Sequence, residues 1–136
     1  MKITIETLVK ADLSNVWAAW SNPEDIKEWN APSDDWHTTR STVDLREGGT
    51  FLSRMEAKDG SAGFDFEGTY TRIVPQEVIE YRMSDGREVE VAFVEGADGV
   101  LVRTVFEAET EHPPEVQRTG WQAILDNFGR HVEAKR

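Results

Sequence analysis

The chain has 136 residues, no cysteine and a formal net charge of −11. Its length fits one domain with a core of its own, which we expect to span residues 1–136. The absence of cysteine excludes disulfides, zinc–thiolate sites, iron–sulfur clusters and thiol nucleophiles within the chain, and the acidic balance with scattered Lys and Arg argues against a nucleic-acid partner, whose phosphates must be neutralised.

Residues 2–9 show the alternation that is typical of a β-strand. Ile3, Ile5 and Val9 share one face, while Leu8 is out of pattern. No apolar run reaches the length of a signal-peptide core or the roughly 20 residues of a membrane span. We therefore expect a cytoplasmic protein without a membrane span.

Two signals for helix starts follow this strand. Asp12 can cap a short helix that runs to about Trp20. Asn22 and Pro23 then combine a capping side chain with proline at the first helical position. The second helix is expected to be brief and to end near Trp29.

From about residue 36 the sequence predicts about six strands separated by turns. Gly-Gly or Asp-Gly pairs mark the turns at 48–49, 59–60, 85–86 and 98–99, and Asp-Gly between alternating segments is typical of a hairpin. The residues expected to face inward are Phe51, Ser53, Met55, Phe64, Phe66, Gly68, Tyr70, Ile79, Tyr81, Met83, Val89, Val91, Phe93, Val102, Thr104 and Phe106. The opposite faces are rich in charge, which indicates an antiparallel meander with one covered side.

The last predicted element is a long helix from about 115 to 133. Trp121, Ile124, Leu125 and Phe128 recur at helical spacing on one side. Such a helix measures roughly 27–30 Å, since each residue adds about 1.5 Å. It is long enough to cross the whole sheet.

These elements predict an α+β helix-grip fold. A curved antiparallel sheet of about seven strands would fold around the long C-terminal helix, with two short helices after the first strand. Three helices cannot fill a concave sheet of this size completely. An internal cavity is the expected consequence.

Short motifs in a fixed order accompany this pattern. They are Val16-Trp17, Asn22-Pro23-Glu24 followed by Trp29, Gly48-Gly49-Thr50-Phe51, Asp59-Gly60, Gly68-Thr69-Tyr70 with Ile73 and Pro75, and Gly120-Trp121 with Leu125. In this order the chain resembles homologues of the C-terminal domain of the activator of heat-shock protein 90 ATPase. That family lies in the START, birch-pollen-allergen and polyketide cyclase-like superfamily. The resemblance implies a START-like domain and says less about function, because one fold hosts many functions.

We identify no catalytic constellation, metal site or cofactor site in the sequence. The three histidines, His37, His112 and His131, are dispersed and lack metal-ligand spacing. Each is interpreted as a surface or boundary residue, although His131 could balance the dipole at the end of the long helix. Asp65 and Glu67 are interpreted as part of a solvated strand face.

The candidate site is the wall of the expected cavity. The lining residues that we predict are Trp29, Phe51, Phe66, Tyr70, Arg72, Tyr81, Phe93, Phe106, Trp121 and Leu125. Phenol hydroxyls would orient a ligand within an otherwise apolar wall. Arg72 is included because the spacing from Tyr70 to Ile73 suggests a β-bulge that could turn it inward. The alternative is that the rings fill the space and leave only a dry core.

Three functions follow from these observations. The first is binding of a small apolar or aromatic ligand, lipid-like or polyketide-like, by a monomer or weak homodimer. The second is a chaperone-associated or stress-response interaction protein, as the resemblance implies. The third is an enzyme of the cyclase or hydrolase kind, for which no acid–base pair is visible; we therefore expect a binding protein rather than an enzyme.

Overall fold

The computed structural model describes residues 1–135, and this part of the chain forms seven strands and three helices in the predicted order. The elements are β1 (Lys2–Val9), α1 (Leu13–Ser21), α2 (Pro23–Trp29), β2 (Trp36–Val43), β3 (Thr50–Ala57), β4 (Gly63–Val74), β5 (Val78–Met83), β6 (Glu88–Gly96), β7 (Gly99–Glu107) and α3 (Pro114–Ala134). Within the described residues, no helix combines the length and the apolar character that crossing a membrane requires.

All seven strands belong to one antiparallel sheet in the order β1-β7-β6-β5-β4-β3-β2. The consecutive strands β2 to β7 form a meander, and β1 pairs with β7 through a register that places Ile5 opposite Thr104. The sheet curls into a half-barrel with the long helix α3 along it. The predicted helix-grip fold is confirmed.

The two predicted helix starts are present. The Asp12 carboxylate accepts a hydrogen bond of 2.8 Å from the backbone N–H of Asn15. The Asn22 side chain accepts one of 2.9 Å from the N–H of Glu24, with Pro23 at the first helical position. Each cap satisfies a donor that the first turn leaves free. The two short helices therefore follow each other directly at one end of the sheet.

Helix α3 lies along β1, one edge of the sheet. The Arg118 guanidinium donates to the carbonyl oxygen of Thr4 at 2.8 Å, and the Gln122 amide donates to that of Glu6 at 3.0 Å. These backbone carbonyls lie on an edge strand and have no further strand to pair with. The side chains of α3 thus satisfy some of the free hydrogen-bond acceptors of this edge strand. The same contacts hold the helix beside the sheet.

The end of α3 is fixed to α2 by a buried carboxylate. Asp25 is only 6% exposed, and its Oδ1 accepts hydrogen bonds from His131 Nε2 at 2.8 Å and Lys135 Nζ at 2.5 Å. The His131 side chain is 13% exposed and lies against α2, so of the two expected positions His131 occupies the boundary rather than the surface. Phe128, one turn earlier, packs on Trp20 and Trp29 with ring centres 4.9 and 5.0 Å apart.

Candidate functional site

A cavity of about 810 Å³ lies between the concave face of the sheet and α3. Its wall draws on the sheet, α2, α3 and the last turn of α1. The apolar and aromatic lining residues are Ile5, Trp20, Ile26, Trp29, Pro32, Trp36, Val43, Phe51, Met55, Phe64, Phe66, Tyr70, Tyr81, Met83, Val116, Trp121, Ile124 and Leu125. Four of the five tryptophans are among them.

An aromatic cluster centred on Phe51 forms one side of the cavity. The Phe51 ring centre lies 4.8 Å from that of Tyr81, 5.3 Å from Tyr70 and 5.7 Å from Phe66. Phe51 is paired across the sheet with Gly68, where a Cβ atom would lie 3.0 Å from the phenylalanine ring and 2.6 Å from the Arg82 carbonyl oxygen. Because Gly68 has no side chain, the Phe51 ring can occupy the space beside it.

Trp121 forms the facing wall on α3. It stacks on Phe106 of β7 with ring centres 4.1 Å apart and an interplanar angle of 7°, and its ring centre is 6.0 Å from that of Phe66. The residue before it, Gly120, also lines the cavity, and a Cβ atom added there would meet no heavy atom within 4 Å. The wall is therefore open at Gly120 and closed by a large ring at Trp121.

The buried polar side chains of the cavity wall carry hydroxyls. Tyr70 and Tyr81 are cross-strand partners, and burial raises the pKa of both phenols, so they remain neutral at physiological pH. Ser53 and Thr104 are also buried and line the cavity. The Thr104 hydroxyl has no hydrogen-bond partner within residues 1–135.

Charged side chains are confined to the mouth of the cavity. The rim residues are Asp65, Glu67, Asp85, Arg87 and His112. Arg87 Nε donates to Asp85 at 2.8 Å; burial alone would raise the pKa of Asp85, but the hydrogen bonds and charge of Arg87 outweigh it and lower that pKa. Asp85 is therefore ionised at neutral pH. The His112 ring lies 2.9 Å from the carboxylate of Glu109 at the same rim.

The family of the chain follows from its match to known sequences. The family model described as Activator of Hsp90 ATPase homolog 1-like protein matches residues 10–133. The chain belongs to this family. The resemblance found in the sequence is thereby confirmed.

Solved structures of similar proteins share the fold of this family member. The solution structure of an AHSA1-like protein from Aeromonas hydrophila matches with a TM-score of 0.93 and 52% identity, over 99% of this chain and 94% of that chain. A Cytophaga hutchinsonii protein matches with a TM-score of 0.85 and 40% identity, over 98% of this chain and 93% of that chain. A Chromobacterium violaceum protein with 24% identity shares the fold, with a TM-score of 0.87 over 98% of both chains. A comparison with curated proteins finds no match.

Most of the site residues predicted for this family member lie around the cavity. The predicted residues found in its wall are Trp29, Phe51, Phe66, Tyr70, Tyr81, Trp121 and Leu125. They come from α2, α3 and three neighbouring strands, so the fold brings together residues that are far apart in the sequence.

Arg72, Phe93 and Phe106 lie outside the cavity wall. The predicted bulge is present after Tyr70, but its extra residue returns Ile73 to the inner face and leaves Arg72 on the outer face, 57% exposed and 3.0 Å from Glu80. The expectation that Arg72 points inward is therefore wrong. Phe93 and Phe106 do face inward, but tryptophans cover them: Trp17 and Trp20 in the first case and Trp121 in the second.

The polar wall residues Ser53 and Thr104 are not among the site residues predicted from the sequence. Both were placed on inward faces by the strand alternation, together with apolar neighbours. A hydroxyl at an inward position of a strand is the signal that could have identified them. The rim residues Asp85, Arg87 and His112 carry no such signal, because loops rather than a regular period place them at the mouth.

Two clusters within the described residues have the side chains that a metal could use. Asp25, Glu28 and His131 form one, and Glu109, Glu111 and His112 the other, each with its ligand atoms within 4.8 Å of one another. In the first cluster the Lys135 ammonium already holds the buried Asp25 oxygen. The buried carboxylate is therefore already paired with a positive charge.

Proposed function

We propose that this protein binds a small, uncharged, apolar or aromatic molecule, lipid-like or polyketide-like, in its internal cavity. The observation that carries the proposal is a cavity of about 810 Å³ whose buried wall is apolar and aromatic while its charges lie at the rim. Sites for small organic ligands have volumes of roughly 300–1,000 Å³, with a few polar groups set in such a wall.

The charge distribution supports a neutral ligand. Among the described lining residues, the ionisable groups in the buried wall are Tyr70 and Tyr81, and both phenols are neutral. A carboxylate placed beside them would lose its hydration without gaining a cation, which is strongly unfavourable. At the mouth it would meet Asp65, Glu67 and Asp85, with Arg87 already paired.

A matched pair of dyes tests this proposal. N-phenyl-1-naphthylamine is uncharged, whereas 8-anilino-1-naphthalenesulfonate has nearly the same shape and carries a sulfonate. We expect the uncharged dye to bind with micromolar affinity and to quench tryptophan emission, because four tryptophans line the cavity. The sulfonate should bind at least about tenfold more weakly. Absence of binding by the uncharged dye, or tighter binding of the sulfonate, contradicts the proposal.

A variant that fills the cavity without weakening the fold makes the test specific. Gly120→Leu places a side chain in open space beside the cavity and improves helix propensity at a position within α3. We expect its melting temperature to stay level or rise while its affinity for the uncharged dye falls by about tenfold or more. Thr119→Leu is the matched control, because Thr119 is exposed on the same helix and does not line the cavity.

A chaperone is the other partner that the family description suggests, and an enzymatic role of the cyclase or hydrolase kind is a third possibility. The cavity favours ligand binding over both. A titration of the isotope-labelled protein with purified heat-shock protein 90 separates the first alternative: shifts confined to exposed residues, with no dye binding, would favour it. We also propose that the protein acts in the cytoplasm as a monomer or weak homodimer, which cell fractionation and light scattering test.

A further inference from the structure

The phenol of Tyr81 offers the cavity a hydrogen-bond donor that has no partner among the described residues. Tyr81 is 7% exposed, lies on the inner face of β5 and lines the cavity wall. Its hydroxyl makes no hydrogen bond within residues 1–135, yet it is not among the fully enclosed unpaired hydroxyls, which are those of Ser41 and Thr104. The Tyr81 oxygen therefore keeps some accessible surface, and because the side chain faces inward, that surface opens to the cavity.

Contacts to other rings hold Tyr81 in the wall without using its hydroxyl. Its ring centre lies 4.8 Å from that of Phe51 and 6.3 Å from that of Phe66, with interplanar angles of 78° and 74°. Its partner on β6 is Val89, which has no polar side-chain atom. A phenylalanine at position 81 would make the same ring contacts without the cost of burying an unpaired polar group. The packing alone does not account for the hydroxyl.

The charges around Tyr81 keep its phenol in the donating form. Burial raises the pKa of Tyr81 most, the neighbouring Tyr70 phenol adds to the rise, and the Arg87 guanidinium opposes it only in part. Tyr81 therefore stays protonated at neutral pH and has one O–H to donate. Arg87 lies at the rim and is already paired with Asp85. An uncharged acceptor thus suits this donor better than an anion, which would lose its hydration without gaining a free cation.

We propose that Tyr81 is a specificity residue that donates a hydrogen bond to an uncharged oxygen atom of the bound ligand, such as that of a ketone or ether. The proposal rests on the proposed function of the cavity as a ligand site. It narrows the ligand class from apolar molecules in general to aromatic molecules that carry such an oxygen.

The position of Tyr81 in the wall favours it over the second phenol. The ring of Phe66 neighbours both Tyr81 and Trp121, with centres 6.3 and 6.0 Å from theirs. A flat ligand that packs on Phe66 and Trp121 therefore has Tyr81 beside it. The pKa of Tyr70 is raised by burial and then by the charge of Asp44, a residue that does not line the cavity. The Tyr70 phenol is thus influenced by a group outside the cavity wall, whereas Tyr81 is influenced by groups that line it.

The test compares two ligands that differ at one carbon. 2-Acetylnaphthalene carries a ketone, and 2-ethylnaphthalene has a methylene in its place. Both are measured in competition with N-phenyl-1-naphthylamine. Tyr81→Phe removes the hydroxyl and keeps the ring, so it should weaken ketone binding by roughly three- to tenfold and leave hydrocarbon binding unchanged. The infrared C=O stretch of the bound ketone should lie at lower frequency in wild type than in Tyr81→Phe, because the hydrogen bond weakens the carbonyl bond.

The other outcomes separate this inference from the proposed function. Without ligand, the melting temperature of Tyr81→Phe should stay level or rise, since the hydroxyl has no partner to lose; a fall of several degrees would show a partner within the protein and overturn the inference. Equal changes for both naphthalenes, no change for either, or a loss of ketone affinity only in Tyr70→Phe or Ser53→Ala also overturn the role of Tyr81 while the proposed function stands. If wild-type protein binds neither naphthalene nor the dye, both fail together.

Discussion

At the scale of single residues, two glycines beside the cavity are expected to respond to substitution in opposite ways. At Gly68 a Cβ atom would lie 2.6 Å from the Arg82 carbonyl oxygen and 3.0 Å from the Phe51 ring, whereas at Gly120 it would meet open space. Gly68→Ala should therefore destabilise the protein by roughly 1–3 kcal/mol through overpacking. Gly120→Ala should stabilise it by roughly 0.5–1 kcal/mol, because alanine favours the helix.

Urea denaturation of the two alanine variants measures both effects against wild type, and the Gly120 variant serves as the control for the substitution itself. The dye provides a further readout, because displacement of Phe51 by the Gly68→Ala methyl group should also weaken binding in the cavity. A Gly68 variant as stable as wild type would show that the backbone near Arg82 shifts to accommodate the methyl group at little cost in free energy. The account of how Phe51 is positioned would then be wrong.

The strand period made the direction of most wall side chains predictable. Successive residues of a strand face opposite sides, so Phe51, Tyr81 and Thr104 could be placed inward from spacing alone. Whether an inward-facing side chain contacts the cavity was harder to predict than the face of the sheet on which it lies. Phe93 and Phe106 face inward and are nevertheless covered by tryptophans from α1 and α3, which is a tertiary contact that no local pattern encodes.

At the scale of elements, the contact of Asp25 with the end of α3 is expected to make stability depend on pH. Burial would raise the pKa of Asp25, but hydrogen bonds and charges from Lys135 and His131 outweigh it and lower the pKa below the ordinary value of 3.8. A carboxyl whose pKa is lower in the folded state adds stability that is present above the unfolded pKa. That stability is lost as the pH falls below about 4 and through the folded pKa.

Asp25→Asn should remove this contribution. At pH 7 we expect a loss of roughly 1.5–3 kcal/mol in the free energy of unfolding, since hydrogen bonds to a charged group are replaced by weaker ones. Below about pH 4 and through the folded pKa the difference from wild type should shrink, because the unfolded wild-type chain binds a proton at Asp25 at a higher pH than the folded protein does. Glu28→Gln is the control on the same helix, since Glu28 is 69% exposed and lies 4.0 Å from His131. A constant difference across this pH range would contradict the assignment.

The elements themselves were predictable, while their cross-connections were not. Capping residues such as Asp12 and Asn22 act within a few positions of the helix that they start, so their effect can be read from the sequence. The pairing of Asp25 with His131 joins residues that are 106 positions apart. The contact of Gln122 with the edge of β1 spans 116 positions. Such contacts depend on the final crossing of α3 over the sheet.

At the scale of the whole molecule, a curved seven-stranded sheet with one long helix led us to expect a cavity before its shape was known. The length of α3 and the number of strands set how much concave surface must be covered. The volume and the position of the mouth depend on side chains in loops, including Asp85 and His112. No sequence period places these residues, which is why the rim could not be predicted.

The net charge of −11 should make the folded state sensitive to salt. Excess carboxylates repel one another more strongly in the compact state than in the unfolded chain, and an increase from 0.01 to 0.2 M NaCl shortens the Debye length from about 30 Å to about 7 Å. The same increase in salt slightly weakens the attraction within exposed ion pairs such as Arg103–Glu6 and Arg72–Glu80. Since unpaired acids outnumber bases, we expect the melting temperature at pH 7 to rise by about 2–4 °C.

The same titration at the isoelectric point separates repulsion from other effects of salt. The sequence pI is about 4.7, and at that pH the net repulsion vanishes while the attractive pairs are still partly ionised. Salt should then leave the melting temperature unchanged or lower it. Equal stabilisation at pH 4.7 and pH 7 would mean that salt acts through preferential exclusion from the protein surface rather than through screening. A melting temperature that rises with salt at pH 7 but does not rise at pH 4.7 indicates repulsion across the whole molecule.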